Sequence, residues 1–154
     1  MTSMSYFLLY RLPPILWMGF LFPENSVLTY ESTSRFLVPF LTWLLPFADQ
    51  TTIKLVHIGI RKSVHFFEYG LLAFLLFRAI RSGRKEWRPE WMLYAGIICL
   101  AYTALDELLQ VYFPFRTGQF SDWMINAAGV VCTLGLISLK FRISMCSGAT
   151  PKFE

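Results

Sequence analysis

Charged side chains are scarce in this sequence. Asp, Glu, Lys and Arg make up 16% of its 154 residues, whereas about 25% is usual in soluble domains. Hydrophobic residues account for 55% of the chain and aromatic residues for 18%, and the mean hydropathy is +0.48. A soluble domain of this length needs more charge to cover its surface. The composition therefore predicts a single integral membrane domain over residues 1–154.

Cysteines and basic runs are scarce as well. The 3 cysteines are scattered along the chain and define neither a disulfide framework nor a zinc site. The net charge is +4, but no basic run is long enough to follow a nucleic-acid backbone. The excess suits loops that touch anionic lipid headgroups. We therefore expect membrane lipids as partners, and we expect no nucleic acid, no cofactor and no bound metal.

Four apolar segments approach the length of about 20 residues that crosses a hydrocarbon core of about 30 Å. They are residues 4–22, 63–80, 91–113 and 121–139. Pro13 and Pro14 interrupt the first, which predicts a kinked helix. Residues 36–47 are apolar but too short to span, which is typical of a re-entrant or interfacial segment. The predicted fold is an all-α membrane protein, a bundle of about four transmembrane helices with that segment between the first and second.

The basic residues predict the orientation of this bundle. The loop between the second and third spans and the C-terminal tail share most of them: Arg78, Arg81, Arg84, Lys85, Arg88, Lys140, Arg142 and Lys152. Because cytoplasmic loops carry an excess of Lys and Arg, this loop and both termini are predicted to be cytoplasmic.

Polar residues fall at the outer ends of three of the predicted spans. At about 1.5 Å per residue, Glu68, Asp106 and Asn126 lie on the order of 5–10 Å below the outer hydrocarbon edge. Ionisable groups at such depths are costly and mark a functional site by default. The predicted site, called here the polar cluster, consists of Arg61, Lys62, His65, Glu68, Tyr69, Asp106, Glu107, Gln110, Arg116, Asp122 and Asn126.

The spacing within each helix supports one shared site. His65, Glu68 and Tyr69 follow positions i, i+3 and i+4, and therefore share a face. Asp122, Asn126 and Gly129 share a face in the same way. Gly129 is expected to let a neighbouring helix approach closely, as small residues do in membrane bundles.

Two blocks of the sequence resemble a known family. Residues 61–72, RKSVHFFEYGLL, are similar to the RKxxHFxEYxxL signature of VanZ-like membrane proteins. Residues 106–116, DELLQVYFPFR, with Asp122, Asn126 and Gly129, resemble the family's second block, although Phe115 replaces a frequent glycine. Trp17 is a looser match, and the motif core covers 61–135. The resemblance implies a multi-pass protein of the bacterial cytoplasmic membrane, connected with teicoplanin-type resistance, and it implies no agreed reaction.

Three interpretations of the polar cluster remain open. In the first, it binds an amphiphilic anionic envelope molecule: a lipid-linked cell-wall precursor, a phospholipid or a lipoglycopeptide. Arg61, Lys62 and Arg116 would then engage phosphate or carboxylate groups. Gln110 and Asn126 would add neutral hydrogen bonds.

In the second interpretation, the cluster only locks the helices together. Arg116 would pair with Asp106 or Asp122. In the third, the protein is an intramembrane enzyme that acts on a lipid. His65, Glu68 and the pair Asp106 and Glu107 would then hold a metal or divide the roles of general acid and general base. A single histidine is a poor basis for a zinc site.

Overall fold

The computed structural model describes residues 3–27, 30–84, 86–110 and 120–146, and its regular elements are all helical. They are α1 (Ser3–Tyr6), a π-helical segment (Phe7–Arg11), α2 (Leu12–Val27), α3 (Tyr30–Leu44), α4 (Gln50–Arg81), α5 (Pro89–Gln110) and α6 (Phe120–Cys146). Among them α4, α5 and α6 are long and apolar enough to cross a membrane. The predicted all-α membrane bundle is therefore confirmed.

The first predicted span, 4–22, is helical but not regular. It comprises α1, the π-helical segment and the larger part of α2. The wide turn closes where the Leu12 N–H donates to the Phe7 carbonyl, directly before Pro13 and Pro14, which lack an N–H for the helical ladder. The segment is anchored to the bundle by the Tyr102 hydroxyl, which donates to the Met18 carbonyl at 2.7 Å.

The second predicted span forms the later part of a longer helix. It was expected at 63–80, but α4 begins at Gln50 and contains 32 residues, which corresponds to about 48 Å. Asp49 caps its first turn by accepting from the Thr51 and Thr52 amides. Arg61 and Lys62 therefore lie well inside a helix and not in a connection that flanks a span.

The segment 36–47 ends a helix and continues into a turn. Its first part belongs to α3, which includes Pro39, and its last part is the turn that leads to α4. The buried side chains Leu41, Ile53 and His57 hold α3 against the first part of α4. Residues 50–62, expected in a connection, are thus half of a helical hairpin.

The core lies where α4 meets α5 and α6. Its buried members on these helices include Tyr69, Leu72, Phe77, Val130 and Phe141. The closest approach is at Gly129: a Cβ built there would lie 2.1 Å from the Phe66 carbonyl oxygen. The absence of a side chain at Gly129 therefore brings the backbones of α4 and α6 together, as the sequence predicted.

Candidate functional site

The deepest contact of the polar cluster joins α4 to α5. The Tyr69 hydroxyl donates to Asp106 Oδ2 at 2.8 Å. Tyr69 is fully buried and the exposed fraction of Asp106 is 6%. A buried carboxylate requires such donors, because it has lost its hydration. A direct hydrogen bond thus joins the polar residues of α4 and α5.

A second carboxylate belongs to Glu68, the residue before Tyr69 on α4. Glu68 is 9% exposed, and its Oε2 lies 3.3 Å from His65 Nδ1. The backbone of the same residue holds the first part of the chain, since the Trp17 indole N–H donates to the Glu68 carbonyl at 3.1 Å. The spacing of His65 and Glu68 thus produces the side-chain contact that it predicted, and Trp17 reaches the same turn of α4.

The edge of the site is formed by an ion pair between α4 and α6. Lys62 Nζ lies 3.7 Å from Asp122 Oδ1, and the two side chains are 42% and 39% exposed. The Ser121 hydroxyl also donates to Asp122 Oδ1, at 3.3 Å. An ion pair of this length and exposure is weak. Lys62 is consequently a cation at the rim that a competing anion can detach from Asp122.

Two side chains of α6 bury polar atoms beside this rim. Asn126 is 2% exposed, and its Oδ1 has no hydrogen-bond partner. Trp123, three residues earlier, buries its Nε1 without an acceptor and stacks on Phe120 with ring centroids 5.6 Å apart. Buried polar atoms are rarely left unsatisfied, and those that are require an explanation.

The remaining predicted residues are placed less completely. Arg61 and Glu107 are half-buried next to Lys62 and Asp106. Gln110 ends α5, but its side chain and the whole of Arg116 lie outside the described residues. The expected pairing of Arg116 with Asp106 or Asp122 also lies outside them. Among the described residues, no group of three or more His, Cys, Asp or Glu side chains is arranged to hold a metal ion.

Some contacts of the site were not predicted from the sequence. Tyr102 and Thr103 lie on α5 just before Asp106, and Thr103 is fully buried. The Cys99 thiol lies 3.7 Å from the Tyr69 carbonyl oxygen, so this cysteine contacts the backbone of the site. Tyr102 and Thr103 are polar residues within an apolar span, and this feature of the sequence could have identified them as part of the site.

The comparison with protein families assigns the chain to one family. A profile of the VanZ/LLP1 family matches residues 7–141. The chain belongs to the VanZ/LLP1 family. The match includes α2 as well as both motif blocks, which is consistent with the hydrogen bond from Trp17 to the Glu68 turn. Comparisons with curated proteins and with solved structures found no match.

Membership of the VanZ/LLP1 family and the three apolar helices together make this an integral membrane protein. Lipid therefore surrounds α4, α5 and α6. Outward-facing apolar residues away from the polar cluster, such as Val131 and Leu136, are covered by lipid tails.

Proposed function

We propose that this VanZ/LLP1 protein binds an amphiphilic anionic envelope molecule at the polar cluster, near the outer leaflet. The candidate molecules are a lipid-linked cell-wall precursor, a phospholipid and a lipoglycopeptide. The observation that carries the proposal is Lys62: it is a half-exposed cation, weakly paired with Asp122, at the edge of a buried polar layer built by three helices.

The weak ion pair at the rim supports a ligand with an anionic head group. A phosphate or carboxylate that approaches Lys62 replaces Asp122 as its partner at low cost, since exposed ion pairs contribute little. Arg61 precedes Lys62 on α4 and adds a second positive charge. Both positive charges attract an anion to this turn of α4, and Lys62 is the one whose weak pairing with Asp122 an anion can replace.

Exposed apolar side chains next to the rim support an apolar tail. On α4, Val64, Phe67 and Leu71 are 45%, 70% and 40% exposed, and their spacing puts them on one stripe. On α6, Phe120 and Met124 are 73% and 56% exposed. An acyl or prenyl chain can lie along these residues while its head stays at Lys62.

We further propose that the protein lies in a bacterial cytoplasmic membrane with both termini in the cytoplasm, and that it contributes to teicoplanin-type resistance. Under this orientation the Lys62–Asp122 rim faces outward, where lipid-linked precursors and lipoglycopeptides are found. Raised resistance on expression of the wild-type chain, abolished by Lys62→Gln, is the expected cellular result. Equal resistance from wild type and variant would contradict the link.

The alternative is that the polar cluster only stabilises the bundle. The Tyr69–Asp106 bond and the Trp17–Glu68 contact favour it, because both join different helices. Lys62 distinguishes the two functions. A purely structural cluster needs no half-exposed cation at its rim. If the cluster is only structural, removing the charge of Lys62 would change neither lipid binding nor resistance.

The test combines native mass spectrometry and lipid analysis of the purified chain with titration of polyprenyl phosphate, phosphatidylglycerol and teicoplanin. Lys62→Gln is expected to weaken binding of at least one probe about tenfold, as the loss of a charge-assisted contact does. Lys54→Gln, which removes an exposed cation from the same helix, is the matched control and should leave binding unchanged. Identical affinities in wild type and Lys62→Gln for all three probes would overturn the proposal.

A further inference from the structure

A second group of cations lies at the opposite end of α4. Arg78 and Arg81 occupy its last turn, and Ser82 and Gly83 follow in left-handed conformations with φ of 56° and 72°. A small cavity lies here, lined by Tyr10, Phe74, Phe77, Arg78, Arg81 and Gly83. We call it the arginine cavity. Arg78 is about 24 Å along α4 from Lys62, so this cavity is separate from the polar cluster.

Arg78 is held in place but has donor capacity left. One guanidinium nitrogen, Nη1, donates to the Leu9 carbonyl at 3.1 Å, and the guanidinium lies 5.2 Å from the centre of the Tyr10 ring. Its Nε is buried and has no hydrogen-bond acceptor. Because a buried donor without an acceptor is costly, Arg78 is preorganised for a further acceptor.

The surroundings of Arg78 are positive. Arg81 is 5% exposed, lines the same cavity, and lies over the Phe141 ring at 5.1 Å. Arg84 lies over the Trp91 ring at 5.6 Å. The acidic side chain of the following loop, Glu86, is paired with Arg88 at 3.1 Å. Within the described part of the chain, no carboxylate lies within ion-pair distance of Arg78 or Arg84.

The cavity has room for about one oxygen atom. Its volume is about 10 Å³, close to the minimum that holds one water molecule. Gly83 makes the close turn possible, because a Cβ there would lie 2.5 Å from the Tyr10 hydroxyl and would strain a backbone with positive φ. A group bound here therefore inserts one acceptor atom and leaves its remainder outside.

We infer that the arginine cavity binds a phosphate group through one inserted oxygen. Arginine recognises phosphate by paired, directional hydrogen bonds. Arg78 and Arg81 both line the cavity, and the Nε of Arg78 has no acceptor among the described residues. The phosphate comes either from a phospholipid headgroup of the adjacent leaflet or from free phosphate. The chemistry of the site is the same for both sources.

The test uses the full chain, stripped of lipid in detergent, with native mass spectrometry and thermal unfolding as readouts. The probes are phosphatidylglycerol, diacylglycerol, which lacks the phosphate, and inorganic phosphate. Wild type should bind phosphatidylglycerol and be stabilised by it, and diacylglycerol should have no such effect. Arg78→Gln should weaken this binding about tenfold. Arg78→Lys keeps the charge but loses the Nε donor, and it should weaken binding by a similar factor while preserving the fold.

Arg142→Gln is the matched control, because Arg142 is an exposed cation near the same end of the bundle. Unchanged binding in this control, with loss in both Arg78 variants, supports the inference. If inorganic phosphate protects the wild type with the same dependence on Arg78, free phosphate is the source; protection by phosphatidylglycerol alone identifies the headgroup. Equal loss in Arg142→Gln, equal binding of diacylglycerol, or occupancy by water alone would overturn it. Because Lys62 belongs to the polar cluster, Arg78→Gln should cause the same loss of phosphatidylglycerol binding in a Lys62→Gln background as in the wild type, which separates this site from the proposed function.

Discussion

The buried carboxylates are the residues of this protein whose burial costs the most free energy. Glu68 and Asp106 are almost fully buried in helices suited to a bilayer, where unpaired charge is costly. Asp106 accepts a hydrogen bond from the Tyr69 hydroxyl, whereas Glu68 Oε2 lies 3.3 Å from His65 Nδ1 without a hydrogen bond between them. Removing the Tyr69 hydroxyl therefore leaves a buried acceptor on Asp106 without this donor. The contribution of the cluster to stability is therefore concentrated in a few contacts that can be tested one at a time.

Tyr69→Phe removes the hydroxyl that donates to Asp106 and leaves the ring. We expect the free energy of unfolding to fall by about 1–3 kcal/mol, the usual effect of leaving a buried group unsatisfied. Reversible unfolding in detergent measures it. Tyr94→Phe, which alters an exposed tyrosine of the same helix as Asp106, is the control. Equal stability of both variants would mean that the Tyr69–Asp106 bond contributes nothing.

Gly129 is the residue at which size matters most. Alanine there would place its Cβ 2.1 Å from the Phe66 carbonyl oxygen, which belongs to the backbone and cannot rotate away. Gly129→Ala should therefore lower the free energy of unfolding by about 2 kcal/mol or more, because the two helices must separate. Gly135→Ala is the control, since nothing lies within 4 Å of its Cβ position. A decrease as large in Gly135→Ala would contradict the packing argument.

The sequence predicted which residues of the polar cluster come together better than it predicted their pairing. Helical spacing and depth placed Tyr69, Asp106, Asp122 and Asn126 at one end of the bundle. The pairing of Lys62 with Asp122 depends on how α4 and α6 rotate against each other, and hydrophobic patterns do not determine this rotation. The contact at Gly129 fixes it, because Gly129 turns the face that also carries Asp122 and Asn126 toward α4.

At the scale of elements, α4 differs most from expectation. Hydropathy located only its apolar part, since a window for bilayer-crossing segments stops where polar residues begin. Helices do not end at the membrane edge, however, and Asp49-Gln-Thr-Thr contained the signal for the true start: an aspartate that can cap the helix. The N-cap hydrogen bonds at Asp49 confirm that start.

The cap gives α4 a pH dependence at its first turn. Hydrogen bonds to Asp49, first of all from the Thr52 hydroxyl, hold the pKa of its carboxyl below the ordinary value of 3.8. A carboxyl group with a lowered pKa stabilises the folded state fully at pH values above its pKa in the unfolded chain. This stabilisation is lost as the pH falls through the pKa of the group in the folded protein. Exchange of the Thr51 and Thr52 amide protons, corrected for intrinsic rates, should therefore quicken roughly severalfold below about pH 4. Asp49→Ala should show the faster exchange at all pH values, and persistent pH dependence in that variant would exclude Asp49 as the cause.

At the scale of the whole molecule, the length of α4 requires a definite arrangement. A helix of about 48 Å exceeds a hydrocarbon core of about 30 Å by roughly a third of its length. The candidate span therefore leaves either its first or its last turns outside the core. Arg78 and Arg81 mark the end predicted to be cytoplasmic, so the first part of α4, with α3 packed against it, is predicted to extend beyond the outer leaflet.

Single cysteines test this arrangement in a background in which Cys99, Cys132 and Cys146 are replaced by alanine. Thr51→Cys lies in the first turn of α4, and Glu86→Cys lies in the loop that follows it. A membrane-impermeant maleimide applied to intact cells should label position 51 and reach position 86 only after the cells are opened, because the positive-inside rule keeps the arginine-rich loop in the cytoplasm. The reverse pattern would turn the protein over, place the Lys62–Asp122 rim in the cytoplasm and exclude an extracellular lipoglycopeptide as its ligand.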